Sequence, residues 1–319
     1  MEGLYKVLGV PFGFVLGLIY EIIPNYGWAI ILLTLFTRFL MIPSSIKQQK
    51  SMAKTQRMQA KIRKIQQKYA GDQKKIQEET NALYQRENYN PMNMGCSSMI
   101  WQFVILFGLI GAIYYPLSNF LHLDKSQIEV LVGALKDLNI APKSTLQGEL
   151  YVVAHIEKII AAYESGKLAL KGVSPEILKE IGNINFEFFG ISLGEIPNNY
   201  KVFTNIVWIV PVLSFASSLL TGIHSMIKQK RQNPGTQSNA MMMGCMTLGM
   251  PIMSLVFVVQ YPIGVGIYWI ASSVFGFIST LIIGHFYSPK KTLAKIMVEE
   301  TIERRSKEEN TKQIAANKK

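Results

Sequence analysis

The sequence predicts an all-α membrane protein with five transmembrane helices, N-terminus out and C-terminus in, carrying a cytoplasmic helical hairpin and an outer helical loop. Three observations predict it. Apolar residues fill 49% of the 319 positions and charged residues only 17%, against about 25% charged in soluble proteins. The apolar residues gather in five blocks near the roughly 20 residues that a helix needs to cross a bilayer. The basic residues stand beside those blocks and are unevenly shared between alternate loops.

Residues 1–25 form the first element. Val7 to Ile23 is apolar but interrupted by Gly9, Pro11, Gly13 and Gly17, and it holds Glu21. It reads as a helix lying in the outer interface, with a sixth span as the alternative. With one early lysine and no small-residue cleavage site, it is not expected to be a cleaved signal peptide. The first span is 26–46. Residues 47–93 follow as a hairpin: Met52, Met58, Ile62, Ile65 and Tyr69 recur at near-helical spacing among Lys, Arg and Gln. Ala70-Gly71-Asp72 breaks that pattern, Asp72 is placed to cap a second helix, and Asn90-Pro91 ends it. Its apolar stripe is too thin for an independent domain, so it reads as a mobile arm, either a solvated spacer or a docking site for incoming chains.

The second span is 97–121. Residues 122–202 form the outer loop, with amphipathic pieces at Gln127 to Leu138 and Leu150 to Glu164 punctuated by Pro142, Gly166, Gly172 and Pro175. His122 and His155 have no partner at ligand spacing and read as surface residues. The third span is 203–227, the next cytoplasmic loop 228–239 and the fourth span 240–260, which is rich in Met from Met241 to Met253. The fifth span, 264–287, follows the tight Tyr261-Pro262-Ile263-Gly264 turn. The tail 288–319 is basic and poor in apolar residues after Val298, and reads as disordered or loosely helical.

Loop charges set the orientation. Ser44 to Asn93 holds eleven basic residues and four acids, Lys228 to Asn239 three and none, and Ser288 to Lys319 nine and five. Leu121 to Phe203 holds eight basic and ten acidic residues. The three basic segments are therefore cytoplasmic. The net charge of +12 is accounted for by this distribution rather than by nucleic-acid binding, for which no recognition module is visible. The two cysteines, Cys96 and Cys245, have neither metal spacing nor a disulfide framework.

Arg38 is the one charge deep in a span. A central Arg costs from about 3 to more than 10 kcal/mol, and no Asp or Glu occurs in any of the five blocks. It must meet water, backbone carbonyls, lipid phosphate or a ligand, which points to a wet cavity. Thr34 is one turn away on the same face. Gln102, the run Ser214, Ser217, Ser218, Thr221 and Ser225, and the pair Ser272 and Ser273 add polarity to other spans. For most of these small residues close helix packing is the simpler reading. No nucleophile–base pair or metal cluster occurs in the spans, so neither an enzyme nor a cofactor is expected. A small transporter or channel using Arg38 as an anion site is the alternative, but paired intramembrane charges and inverted repeats are missing.

Three ordered runs carry a resemblance. They are Thr34-Leu35-Phe36-Thr37-Arg38 with Pro43 and Lys50-Ser51-Met52-Ala53-Lys54; Asn90-Pro91-Met92 leading to Gly95-Cys96, Gln102 and Tyr114-Tyr115; and Tyr261-Pro262-Ile263-Gly264 before Ile267-Tyr268-Trp269-Ile270-Ala271-Ser272. In these runs the chain resembles the YidC family of membrane protein insertases, over all but the outer loop. It departs from the family pattern at Ser98 and Val104, where prolines are common. The resemblance implies a groove open to cytoplasm and lipid, in which Arg38 attracts the acidic outer tail of a nascent membrane protein. It implies Thr34 as a groove position and Tyr268 and Trp269 as substrate contacts, and Gln102, polar within the second span, is read as lining the same groove. It also implies partners: nascent membrane proteins, the ribosome, the Sec translocon and membrane lipids, but no small-molecule substrate. With no lipobox cysteine, the lipid attachment of some Gram-positive members is not expected; with only some 25 residues before the first span, the large periplasmic domain of Gram-negative members is not expected, and a Gram-positive-type bacterial plasma membrane is the expected home.

Overall fold

The computed structural model describes residues 2–87, 96–140, 142, 147–202, 204–232, 240–287 and 289–316. In chain order the helices are α1 (Glu2–Ile22), α2 (Tyr26–Leu40), α3 (Ile42–Lys68), α4 (Gln73–Arg86), α5 (Cys96–Tyr114), α6 (Pro116–Asn119), α7 (Lys125–Asp137), α8 (Gly148–Ala154), α9 (Ile156–Glu164), α10 (Pro175–Gly182), α11 (Ile209–Gln232), α12 (Ala240–Gln260), α13 (Ile263–Phe286) and α14 (Pro289–Ala316). A two-stranded antiparallel hairpin, β1 (Glu187–Phe188) and β2 (Ile191–Ser192), lies between α10 and α11. Two compact units divide these elements: 1–40 with 101–277, and 41–100 with 278–319.

Among the described residues, two helical segments are long and apolar enough to cross a membrane, Ile206–Lys228 and Ile263–Phe286. Tyr26–Leu40 and Ile42–Gln49 qualify together as a third, broken span. The sequence reads 26–46 as one run, but the helix breaks at Met41 because Pro43 has no N–H to give the carbonyl of Phe39 and its ring crowds the preceding turn. α5 stops at Tyr114 for a related reason, since Pro116 opens the separate α6. α5 and α12 are apolar helices whose described parts, Phe103–Tyr114 and Thr247–Gln260, are shorter. The side chains of the methionines at 241–246 and of both cysteines, and Asn90-Pro91, lie outside the described residues.

In the larger unit, α1 is a full helix whose glycines let it press on α5 and α6. A Cβ at Gly111 would stand 2.1 Å from the Tyr5 carbonyl oxygen, so only glycine fits that crossing. Leu16 on the packed side is fully buried, while Val7, Val10, Phe14 and Ile22 are exposed. Tyr26, also fully buried, ties α2 to α5 by donating its hydroxyl to the Ala112 carbonyl at 3.0 Å.

The 122–202 segment is helical, with α7 opened by a capping box between Asp124 and Gln127, but the expected piece Leu150 to Glu164 is divided at His155 into α8 and α9. Its core of Leu131, Leu135, Leu150, Ile159 and Ile181 is buried. It is fastened to the spans through backbone groups that helix ends leave free. The N–H groups of Ile263 and Gly264, at the start of α13, donate to the carbonyls of Glu195 and Leu193, each at 2.9 Å. Tyr26 N–H donates to the Asn185 carbonyl at 3.0 Å. The buried Glu149 carboxylate accepts from the Ser118 N–H at 2.9 Å and from its hydroxyl. The hairpin then sets Phe188 on Gly27, where a Cβ would fall 2.3 Å from the ring.

The smaller unit contains α3, α4 and α14. Asp72 caps α4 by accepting from Lys75 N–H at 3.1 Å, and Gly71 makes the turn at φ +99°, as the spacing predicts. Lys61 pairs with Glu87 across the hairpin. The tail is more ordered than its composition suggests: α14 runs to Ala316 and packs on α3. An i,i+4 pair, Arg304 to Glu308 at 3.4 Å, supports it.

Candidate functional site

Arg38 lies in the last turn of α2, where a cation is favoured by the free carbonyl end of the helix. Its side chain is half-buried and reaches α13. Nη2 donates to the Ser272 carbonyl at 2.9 Å and also to the Ser272 hydroxyl. The flat guanidinium sits over Gly276, one turn further along, and a Cβ there would stand 3.5 Å from its Cζ. Tyr268, one turn before Ser272 and buried, faces the same charge. Thus α13 offers Arg38 a strip spaced by four residues: a phenol, a hydroxyl and a bare backbone. Among the described residues no carboxylate is paired with Arg38, and no group of three or more His, Cys, Asp or Glu is placed to hold a metal.

Thr34 is fully buried and gives its hydroxyl to the Ile30 carbonyl at 2.7 Å. Thr37 does the same toward Thr34 at 2.8 Å. This stretch of α2 therefore keeps its own polar groups satisfied. Trp269 meets the Tyr268 ring edge-on, with centres 6.4 Å apart. It is half-buried and stacks on Phe257 of α12, with ring centres 6.0 Å apart at 20°. The side chain of Gln102 lies outside the described residues. Of the five residues singled out in the sequence, Arg38 and Tyr268 are brought together, Thr34 is one turn behind, and Trp269 lies between the rings of Phe257 and Tyr268.

Next to this strip runs a seam of hydroxyls joining three helices. Ser214 of α11 meets Ser254 of α12 at 2.7 Å, and both are buried. Ser218 of α11 reaches Ser254 at 3.4 Å and Ser273 of α13 at 3.3 Å. Ser273 is the chain neighbour of Ser272, so α13 presents one hydroxyl to Arg38 and the next to the α11–α12 contact. Small hydroxylated residues at helix crossings both permit close approach and bond across it.

Residues 18–291 match the sequence model of the 60Kd inner membrane protein family. Among curated relatives, a membrane protein insertase YidC from Caulobacter sp. (strain K31) is 30% identical over 177 residues, 54% of this chain and 26% of that protein. One from Syntrophus aciditrophicus (strain SB) is 38% identical over 112 residues, 35% of this chain and 20% of its own. One from Aromatoleum aromaticum (strain DSM 19018 / LMG 30748 / EbN1) is 31% identical over 107 residues, 34% and 19%. The chain thus spans about a quarter or less of the length of these relatives. With a match that covers most of its residues and helices able to cross a bilayer, the chain belongs to the 60Kd inner membrane protein family and is a membrane protein.

Proposed function

We propose that this chain is a membrane protein insertase and chaperone that works without covalent chemistry. In this reading it sits in the bacterial plasma membrane with five spans, N-terminus out and C-terminus in. Arg38 receives the acidic outer tail of a nascent membrane protein, and the client's apolar segment then moves into lipid. The observation that carries the reading is an arginine in a span-forming helix whose described hydrogen bonds reach only Ser272. A guanidinium has five N–H donors, so donors remain for a carboxylate that arrives from outside the protein. Tyr268, buried against the same charge, is the neighbouring client contact, and Trp269 serves on the α12 side. Gln102 lines the path, and Thr34, fully buried one turn from Arg38, packs behind it. Transfer of the client's span, worth about 0.8 kcal/mol per buried CH₂, drives the process. The basic α3–α4 hairpin and α14 face the cytoplasm, where clients, the ribosome and the Sec translocon are met.

The test is reconstitution of Arg38→Ala and Arg38→Lys in proteoliposomes with a client that has an acidic outer tail. Arg38→Ala is expected to lower insertion at least tenfold, and Arg38→Lys to keep much of it. If both variants insert that client normally while anion flux changes, the chain is a transporter and the reading fails.

A further inference from the structure

A second feature lies on the hairpin side of the larger unit. An apolar groove of about 420 Å³ runs between α2, the start of α11, α13 and the β1–β2 hairpin. Ile31, Ile206, Leu213, Ile270, Phe188 and Phe189 are among the residues that form it, and every residue lining it is aliphatic or aromatic. Its rim is open: Ile206 is 62% exposed and Phe189 79%. At Phe189 the backbone is left-handed, φ 51°, and Gly190 follows at φ 74°. Such two-residue hairpins favour Asn or Gly at the first position, and a bulky residue there is an outlier. The fold holds a phenylalanine in an unfavourable conformation beside an apolar groove.

We propose that this groove is a resident-lipid site that takes one acyl chain of a phospholipid from the leaflet beside the hairpin, with Phe189 closing over it. A client's transmembrane helix is ~10 Å across and would lie along the open rim, whereas the groove itself holds about 420 Å³. A hydrocarbon chain is narrow enough to fit. Because the lining carries no charge, amide or hydroxyl donor, the tail enters and the headgroup stays outside. Much of the groove's wall comes from the two segments long enough to cross a membrane, Ile206–Lys228 and Ile263–Phe286, so its open side meets acyl chains directly. Phe188, held between Gly27 and Trp28 (ring centres 5.5 Å apart), fixes the hairpin to the end of α2 and keeps its tip over the groove. The inference depends neither on the insertase reading nor on which leaflet the hairpin faces.

Phe189→Asn tests it cleanly, because asparagine suits the left-handed position and the hairpin keeps its turn. Ile206→Ser, at an exposed rim position, is the second variant. The protein is released from nanodiscs of defined phospholipid into native mass spectrometry. The wild type is expected to retain one phospholipid, and both variants to retain it at least fivefold less often at unchanged folding. A benzophenone side chain at position 189 is expected to crosslink to phospholipid with and without a ribosome-bound client. Equal retention in the wild type and Phe189→Asn would make the groove ordinary boundary surface and overturn the proposal. Crosslinking to the client in place of lipid would overturn it too.

Discussion

A guanidinium offers donors on three nitrogens, and the hydrogen bonds described for Arg38 leave from Nη2 toward Ser272. Two substitutions separate holding the side chain from using its charge. Ser272→Ala keeps the carbonyl partner and loses the hydroxyl. It is expected to cost about 1 kcal/mol of stability, read by thermal unfolding in detergent, with most insertion retained. Gly276→Leu puts a side chain where the guanidinium lies, 3.5 Å from a Cβ. It should lower insertion nearly as far as Arg38→Ala does, measured on the same acidic client. Part of this site can be read in the sequence. Arg38 is conspicuous because no acid shares its span, and Tyr268, Ser272 and Gly276 follow one another at helical spacing. Ser254 is a different case: a lone serine in the run Pro251-Ile252-Met253-Ser254-Leu255 has no periodicity to mark it, and only its pairing with Ser214 reveals it. Trp269 adjoins Tyr268 in sequence, but one residue turns the helix by about 100°, which sends it to Phe257.

At the level of elements, local chemistry was the most legible. Asp72 and Gly71 follow from capping and turn preferences. Asp72→Ala is expected to destabilise α4 by about 1 kcal/mol, seen as faster amide exchange in its first turn. The break at Met41 also has a local cause in Pro43, although the apolar run hides it. The hairpin was not legible, because two-residue strands leave no alternation to read and Phe189-Gly190 lacks the usual turn residue. Holding Phe189 left-handed costs on the order of 1–3 kcal/mol, offset by the aromatic contacts of Phe188 with Gly27 and Trp28. The α1 crossing was likewise hidden, since a glycine in a helix is read as a weakness until its neighbour is known. Replacing Gly111 by Val pushes α1 off α5, and we expect a loss of about 1–3 kcal/mol in thermal unfolding.

For the whole molecule, class follows from composition and block length, while topology rests on charge bias alone. In a background with both cysteines changed to serine, Lys74→Cys and Lys167→Cys place thiols on the exposed hairpin and loop segment. In intact cells an impermeant maleimide is expected to label position 167 and spare position 74 until the membrane is opened. Arg38 is tied to α13 at Ser272, and the adjoining Ser273, with Ser218 and Ser254, ties α13 to α11 and α12, so the helix that holds the charge is itself held in the packing. The role of Arg38 with clients is tested most directly by a two-by-two insertion assay. Wild type and Arg38→Ala are each given a client with an acidic outer tail and the same client with those acids changed to amides. If Arg38 receives the acidic tail, its removal slows the acidic client at least tenfold and leaves the amide client nearly unaffected, a non-additive pair. Equal slowing of both clients by Arg38→Ala would contradict the account.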